Sequence, residues 1–124
     1  MGGQENGLPT GTGGADRCPL IVASAILGRK WHPVIVQVLL DRGPLGFADL
    51  EAGIHDISSK VLSESLADLV EKGLIERTVI GDRPVRVEYS LTKHGRDLEG
   101  ALDELHGWGS TYLSAELWSG ESTV

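Results

Sequence analysis

A change of hydrophobic period at Gly73 constrains the fold of this chain more than any other feature of its sequence. Before Gly73, apolar residues recur at helical spacing and form one stripe, as in a helix with one buried face. The stripe consists of Leu62, Leu66, Leu69 and Val70. After Gly73, the segments 74–80 and 85–91 have a period of two and flank a Gly-Asp-Arg-Pro turn. The residues expected on one face of the second strand are Val85, Val87, Tyr89 and Leu91. The sequence therefore predicts an amphipathic helix followed directly by a two-stranded ribbon with one solvent-exposed face.

Shorter elements precede the amphipathic helix. Segments 18–28 and 30–43 each carry an early proline and end in glycine, an asymmetry typical of helices. Residues 44–47 are expected to form a short extended connector, and residues 48–54 a brief third helix. A short helix, a tight turn, a longer helix and a β-ribbon follow one another in a winged helix-turn-helix. The predicted fold class is therefore mostly α with a small β-wing.

The two ends of the structured region are expected to serve in dimerisation. The first helix is apolar nearly all round, so both of its faces need cover. Thr92 is predicted to cap a final helix, in which each glycine costs about 1 kcal/mol relative to alanine. The glycines are Gly95, Gly100, Gly107 and Gly109, and the apolar stripe is Leu98, Ala101, Leu102, Leu105, Trp108 and Tyr112. A helix weakened in this way needs a packing partner, which predicts extra N- and C-terminal dimerisation helices around the winged core.

The chain of 124 residues is long enough for one domain. Residues 1–14 contain six glycines and are predicted to be a disordered tail, residues 15–113 the winged helix-turn-helix domain with its terminal dimerisation helices, and residues 114–124 an acidic tail. The longest apolar run is too short to span a bilayer, and no secretory signal opens the chain. Together with the single cysteine, these features predict a cytoplasmic protein without a membrane partner.

The start of the amphipathic helix carries short polar side chains where a helix facing only water would carry long charged ones. Short hydroxyls allow close approach to base edges in the major groove, and a helix N-terminus attracts phosphate. Two arginines of the ribbon are placed for phosphate or minor-groove contact. The candidate DNA-binding residues are Ser58, Ser59, Lys60, Ser63, Glu64, Arg83, Arg86 and Lys30.

Structural interpretations of the same residues stay open. Ser58 is also expected to be a helix N-cap. Lys60 and Ser63 could form a merely solvated face, and Arg83 and Arg86 could be solubilising charges. Lys30 and its neighbour Arg29 could be a plain surface pair, while Trp31 and Tyr89 are expected in the core.

The net charge of −7 is unevenly distributed. Residues 1–57 carry a net charge of −2, residues 58–96 of +1 and residues 97–124 of −6. The region predicted to read DNA therefore holds most of the positive charge, while the deficit is mainly C-terminal. An acidic surface with few lysines also suits a cell of high internal salt.

Several motifs together resemble the HxlR-type winged helix-turn-helix transcription regulators, relatives of the MarR group. They are Cys-Pro at 18–19, Gly-Arg-Lys-Trp at 28–31, Ile-Ser-Ser-Lys-Val-Leu at 57–62 and Arg-Val-Glu-Tyr-Ser-Leu-Thr at 86–92. The resemblance covers residues 18–113. It implies a homodimer that associates through its terminal helices and binds double-stranded DNA at a partly palindromic operator.

Two further properties depend on this resemblance. In some members the cysteine before the first helix senses oxidants or electrophiles, which makes Cys18 a redox candidate. Glu64 stands where the family usually has an uncharged polar residue such as glutamine. A carboxylate there repels phosphate, although it can accept a hydrogen bond from cytosine N4.

The chemistry around Cys18 allows two interpretations. A helix N-terminus and the adjacent Arg17 both favour the thiolate and hence reactivity. A single cysteine can equally be an inert small residue. Because the chain has no second cysteine, a disulfide would have to join two copies of Cys18 or capture a small thiol.

No catalytic, metal or cofactor motif is visible. The four histidines lack metal-ligand spacing, and neither a glycine-rich phosphate loop nor a glycine-flanked serine nucleophile is present. The sequence therefore predicts a dimeric transcription regulator and not an enzyme. Two alternatives remain: a winged-helix interaction module that has lost DNA binding, and a MarR-like sensor with an effector of unknown identity between its helices.

Overall fold

The computed structural model describes residues 18–120, and the predicted tail at 1–14 lies outside this range. The elements are α1 (Pro19–Leu27), α2 (His32–Arg42), α3 (Phe47–Gly53), α4 (Ser59–Glu71), β1 (Ile75–Ile80), β2 (Arg86–Leu91), α5 (Lys93–Arg96) and α6 (Glu99–Ser114). This order is that of a winged helix-turn-helix flanked by terminal helices, so the predicted fold class is confirmed. The wing is the two-stranded antiparallel sheet, and α3 and α4 form the helix-turn-helix.

The core forms where the leucine stripe of α4 meets α2. Leu62, Leu66 and Leu69 are buried, as the helical period predicts, and Val70 is half-buried. These leucines pack in one cluster with residues of α2, α3 and the ribbon. The cluster also contains Ile35, Val36, Leu39, Leu50, Ile54, Ile57, Leu74, Ile75, Leu91 and Leu102. Trp31 and Tyr89 pack against it in partly buried positions.

The ribbon pairs from Ile75 opposite Leu91 to Ile80 opposite Arg86. A bridge between Leu45 and Tyr89 adds the connector before α3 to the outer side of β2, through N–H···O bonds of 3.0 and 2.8 Å. The two faces of β2 differ less than the predicted alternation, with one solvent-exposed face, requires. Leu91 is buried, but Val87 and Tyr89 are half-buried, as are Glu88 and Ser90 on the opposite face. Val85 precedes β2 and is exposed, because only the inner end of the ribbon reaches the core.

The final helix is not continuous, which corrects the prediction of a single helix beginning at Thr92. The Thr92 hydroxyl does cap α5 by accepting from the N–H of Gly95. The chain then tightens into an i→i+3 turn, with the Leu98 N–H bonded to the Gly95 carbonyl, before α6 begins. Gly95 packs closely on the carbonyl group of Leu74, which holds α5 against the chain at the start of the ribbon.

The terminal helices expose apolar side chains in the single chain. None of the residues of α1 is buried, and Leu20 is exposed by 74%. In α6, Leu102 is buried and Tyr112 is half-buried, while Trp108 stacks on Tyr112 and is 66% exposed.

Within residues 18–120, no helix is both long enough and apolar enough to cross a membrane.

Candidate nucleic-acid interface

The first turn of α4 is held by two serines. Ser58 is the N-cap residue, and its hydroxyl oxygen accepts a 3.1 Å hydrogen bond from the N–H of Val61, so its interpretation as a cap is confirmed. The Ser59 hydroxyl donates to the carboxylate of Glu51 and thereby joins α4 to α3. These two serines fix where α4 begins. Their contact with DNA stays a prediction.

Three candidate residues of α4 point into solvent. Lys60, Ser63 and Glu64 are exposed, and their spacing places them on one face of the helix. None of their side chains forms a hydrogen bond or ion pair with another residue in the described range 18–120. Ser65, from the same serine-rich stretch, is buried and lies on the core side. The exposed face therefore offers an ammonium, a hydroxyl and a carboxylate to a partner.

The tip of the ribbon presents cations beside apolar side chains. Arg83 and Arg86 are exposed, and neither forms an ion pair within the part of the chain that the structure describes. Val79 and Val85 are exposed by 56% and 61% near the same tip. The strand alternation assigned Val85 to the buried side. Val85 lies next to the turn, and this position could have indicated that the ribbon extends beyond the core there.

Arg86 connects the ribbon spatially with the helix-turn-helix. It lines a hollow of about 150 Å³ together with Gly46 and Asp49 at the start of α3. The ribbon therefore lies beside α3, as required if the wing and the helix-turn-helix are to contact one ligand.

Lys30 lies in the turn between α1 and α2. Its ammonium group sits over the ring of Trp31, 5.0 Å from the ring centroid, a distance typical of a cation–π contact. The neighbouring Arg29 approaches Asp68, 3.9 Å away, in the C-terminal half of α4. Asp68 is eight residues from Lys60, about 12 Å along the helix. The structure thus places the turn that carries Lys30 beside the C-terminal half of α4, through Arg29, and not beside its exposed start.

Asp68 is the centre of a polar cluster that sequence reasoning missed. Its carboxylate accepts hydrogen bonds from Lys72 Nζ at 2.6 Å and from His32 Nε2 at 2.7 Å. These two bonds, the one from Lys72 first, hold the pKa of Asp68 below its usual range. His32 is fully buried in the first turn of α2. No local pattern marked this histidine among the four of the chain, because its partner is 36 residues away.

Cys18 occupies the N-cap position of α1 and is half-buried. Its side chain does not cap the helix by a hydrogen bond. The adjacent Arg17, which the sequence suggested as a neighbour favouring the thiolate, lies outside the described residues.

A short helix, a second helix with an exposed polar start, and a ribbon carrying arginines define the class of winged helix-turn-helix transcription regulators. The model of the HxlR-like helix-turn-helix family matches residues 26–117. The chain therefore belongs to the HxlR-like helix-turn-helix family.

Individual relatives agree with this assignment. The chain is 37% identical over 100 residues to the HTH-type transcriptional regulator YvaP of Bacillus subtilis, covering 80% of this chain and 92% of that protein. The reduced form of the transcriptional regulator YodB from B. subtilis superimposes with a TM-score of 0.68 at 35% identity, over 77% of this chain and 93% of YodB. The reduced form of the redox regulator HypR gives a TM-score of 0.71 at 28% identity, over 78% of this chain and 95% of HypR.

Proposed function

We propose that this regulator binds a pseudo-palindromic operator as a homodimer, with the start of α4 in the major groove and the ribbon on the flanking backbone. The observation that carries the proposal is the outward face of Lys60, Ser63 and Glu64, whose exposed side chains form no hydrogen bond or ion pair within the described residues. A recognition helix reads bases through groups of this kind near its N-terminus.

The exposed apolar surfaces at the two ends of the chain support a homodimer. Leu20 of α1 and Leu105 and Trp108 of α6 are large apolar side chains that the single chain leaves uncovered. Aromatic anchors often supply much of an interface's binding energy. A two-fold dimer presents two copies of α4, which fit half-sites about 34 Å apart.

Cys18 is the proposed redox site of this regulator. HypR is described as a redox regulator, and YodB is known in reduced and diamide-treated forms. Because the chain has one cysteine, a disulfide within the homodimer can only join Cys18 to the partner's Cys18 or capture a small thiol. Either disulfide forms with the loss of two thiol hydrogens to a two-electron oxidant such as a peroxide or diamide.

A second candidate function is a winged-helix interaction module that has lost DNA binding. The net charge of −7 and the exposed carboxylate of Glu64 favour it, because both repel a polyanion. The two functions differ in whether any duplex binds, and at which salt concentration.

Fluorescence anisotropy with the DNA that flanks the protein's own gene, over a range of potassium chloride, tests the proposal. Lys60→Ala and Arg86→Ala are each expected to weaken operator binding and to lower the salt slope by about 1. Ser63→Ala should change base preference more than affinity. Lys93→Ala, which removes an exposed lysine of α5, is the matched control and should behave like wild type. Unchanged affinity and slope in all the α4 and ribbon variants would contradict this docking, and no binding at any salt would favour the interaction module.

A further inference from the structure

The cluster around Asp68 links the recognition helix to the turn that follows α1. Asp68 belongs to α4, His32 opens α2, and Arg29 lies in the turn between α1 and α2. Resting on the operator-binding function proposed above, we infer that Asp68 and His32 are positioning residues for base reading. Their hydrogen bond fixes the rotation of α4 about its own axis.

The geometry of α4 connects this bond with the exposed face. Lys60, Glu64, Asp68 and Lys72 follow one another at intervals of four residues and so form one row along the helix. Lys60 and Glu64 at the start of this row face solvent. Asp68, about 12 Å from Lys60 along the helix, is hydrogen-bonded to His32 of α2. Because His32 is fully buried in the first turn of α2, the bond attaches Asp68 to the packed interior of the fold.

The direction of the hydrogen bond follows from the charge on Asp68. An ionised carboxylate only accepts, so the Nε2 atom at 2.7 Å must carry the proton and donate it. Such charge-assisted bonds are shorter and stronger than neutral ones. The tautomer of His32 is thereby set by Asp68.

His32 does more than fill space in the core. Its Nδ1 atom is buried and has no hydrogen-bond partner within the described residues, which is a cost that an apolar side chain would avoid. The hydrogen bond from Nε2 to Asp68 offsets the cost of burying Nδ1 without a partner. The leucine contacts between α4 and the core do not depend on direction, so they tolerate small rotations of the helix. A hydrogen bond weakens steeply when its angle is bent, so it resists such a rotation.

A small rotation of α4 is enough to disturb base contacts. Side-chain atoms lie about 5–6 Å from a helix axis, so a rotation of about 20° moves them by about 2 Å. That displacement exceeds the range of distances over which hydrogen bonds to bases form. Phosphate contacts by flexible lysine and arginine side chains tolerate it better. The expected consequence of losing the anchor is therefore lost discrimination between sequences, with general DNA affinity retained.

A double-mutant cycle tests this role. The variants are Asp68→Ala, His32→Phe and their combination, and the measurement is the ratio of Kd for a non-operator duplex to Kd for the operator. All measurements are made well below the melting temperature of each variant. We expect each single substitution to lower the ratio about tenfold and the double substitution to lower it no further. Affinity for the non-operator duplex should stay within about twofold of wild type.

Two controls separate positioning from stabilisation. Lys72→Ala removes the other close partner of Asp68 but keeps the bond to His32, so it should retain wild-type discrimination. Asp97→Ala removes an exposed 3.1 Å ion pair with Lys93 and should also leave the ratio unchanged. An unchanged ratio in the cycle, effects that multiply in the double variant, or an equal loss in Lys72→Ala would overturn the inference.

Nuclear magnetic resonance supplies a readout without DNA. In the wild-type protein, the proton on His32 Nε2 is expected to be protected from exchange with water, and this protection should persist in Lys72→Ala. An Nε2 proton that exchanges freely would overturn the inference even if a core variant fails to fold. Wild-type protein that binds no operator would overturn both proposals, whereas intact operator binding with no coupling would overturn this one alone.

Discussion

The substitution Gly95→Ala has opposite expected effects on the free energy of unfolding, depending on whether helix propensity or tertiary packing dominates at this position. Gly95 lies in α5, where helix propensity alone predicts that alanine would stabilise the protein by about 1 kcal/mol. In the structure, a Cβ atom at this position would lie 2.3 Å from the carbonyl oxygen of Leu74 and 3.0 Å from Cδ2 of Leu91. The leucine side chain can move aside, but the backbone oxygen cannot do so without displacing β1 or α5. The two arguments therefore predict opposite signs for the change in stability.

The magnitude follows from what the Leu74 carbonyl already does. It accepts the N–H of Thr92 at 3.0 Å, so displacing it weakens a hydrogen bond worth about 1 kcal/mol. Overpacking of a closed site costs about 1–3 kcal/mol in addition. After the gain in helix propensity of about 1 kcal/mol, Gly95→Ala should lower the free energy of unfolding by about 1–3 kcal/mol.

Urea unfolding followed by circular dichroism measures this difference. All variants are compared at one protein concentration, because the stability of a dimer depends on concentration. Gly100→Ala is the matched control: a Cβ there meets nothing within 4 Å, so alanine should raise stability by up to about 1 kcal/mol. A Gly95→Ala protein as stable as wild type, or stabilised like the control, would refute the close packing of α5 on Leu74.

Three further predictions concern the ends, the acid response and the recognition helix. Truncation after Asp97 removes α6 and should give an aggregating or unfolded chain; light scattering and circular dichroism that show a folded monomer would contradict this. Asp68 has a lowered pKa when folded, so its stabilisation is present above about pH 4 and is lost as the pH falls through the folded value. The difference in stability between wild type and Asp68→Asn should therefore shrink on acidification, in melts recorded across pH; a constant difference would argue against it. Glu64→Gln should tighten operator binding at low salt and less so near 1 M, where screening acts within about 3 Å; anisotropy showing no gain would indicate that Glu64 does not face phosphate.

Local signals in the sequence predicted much of the architecture. The leucine period gives the buried face of α4, and hydroxyl residues before helical segments give the caps at Ser58 and Thr92. Each of these features depends on residues within a few positions of one another. The outward face of Lys60 follows from the same period, because it is what remains opposite the leucines.

The features that were missed depend on contacts between distant segments. The break after α5 depends on the packing of Gly95 on Leu74, and the anchor of α4 on a bond from His32 to Asp68. The hydrogen bond from Ser59 to Glu51 likewise joins two helices, α4 and α3. No periodicity encodes such pairs, so the sequence indicated which side chains of α4 are exposed but not that the Ser59 hydroxyl is already hydrogen-bonded to Glu51.

The bridge between Leu45 and Tyr89 has a consequence for how this regulator can diversify. Two N–H···O bonds clamp β2 to the connector before α3, so the register of the ribbon is set partly from outside its own hairpin. The turn at residues 81–85 is thus relieved of fixing the strand pairing. We therefore expect that changes in the length and charge of this turn leave the register of the two strands unchanged. Under the proposed docking, substitutions in this turn are therefore expected to change contacts with the flanking DNA without changing which bases α4 reads.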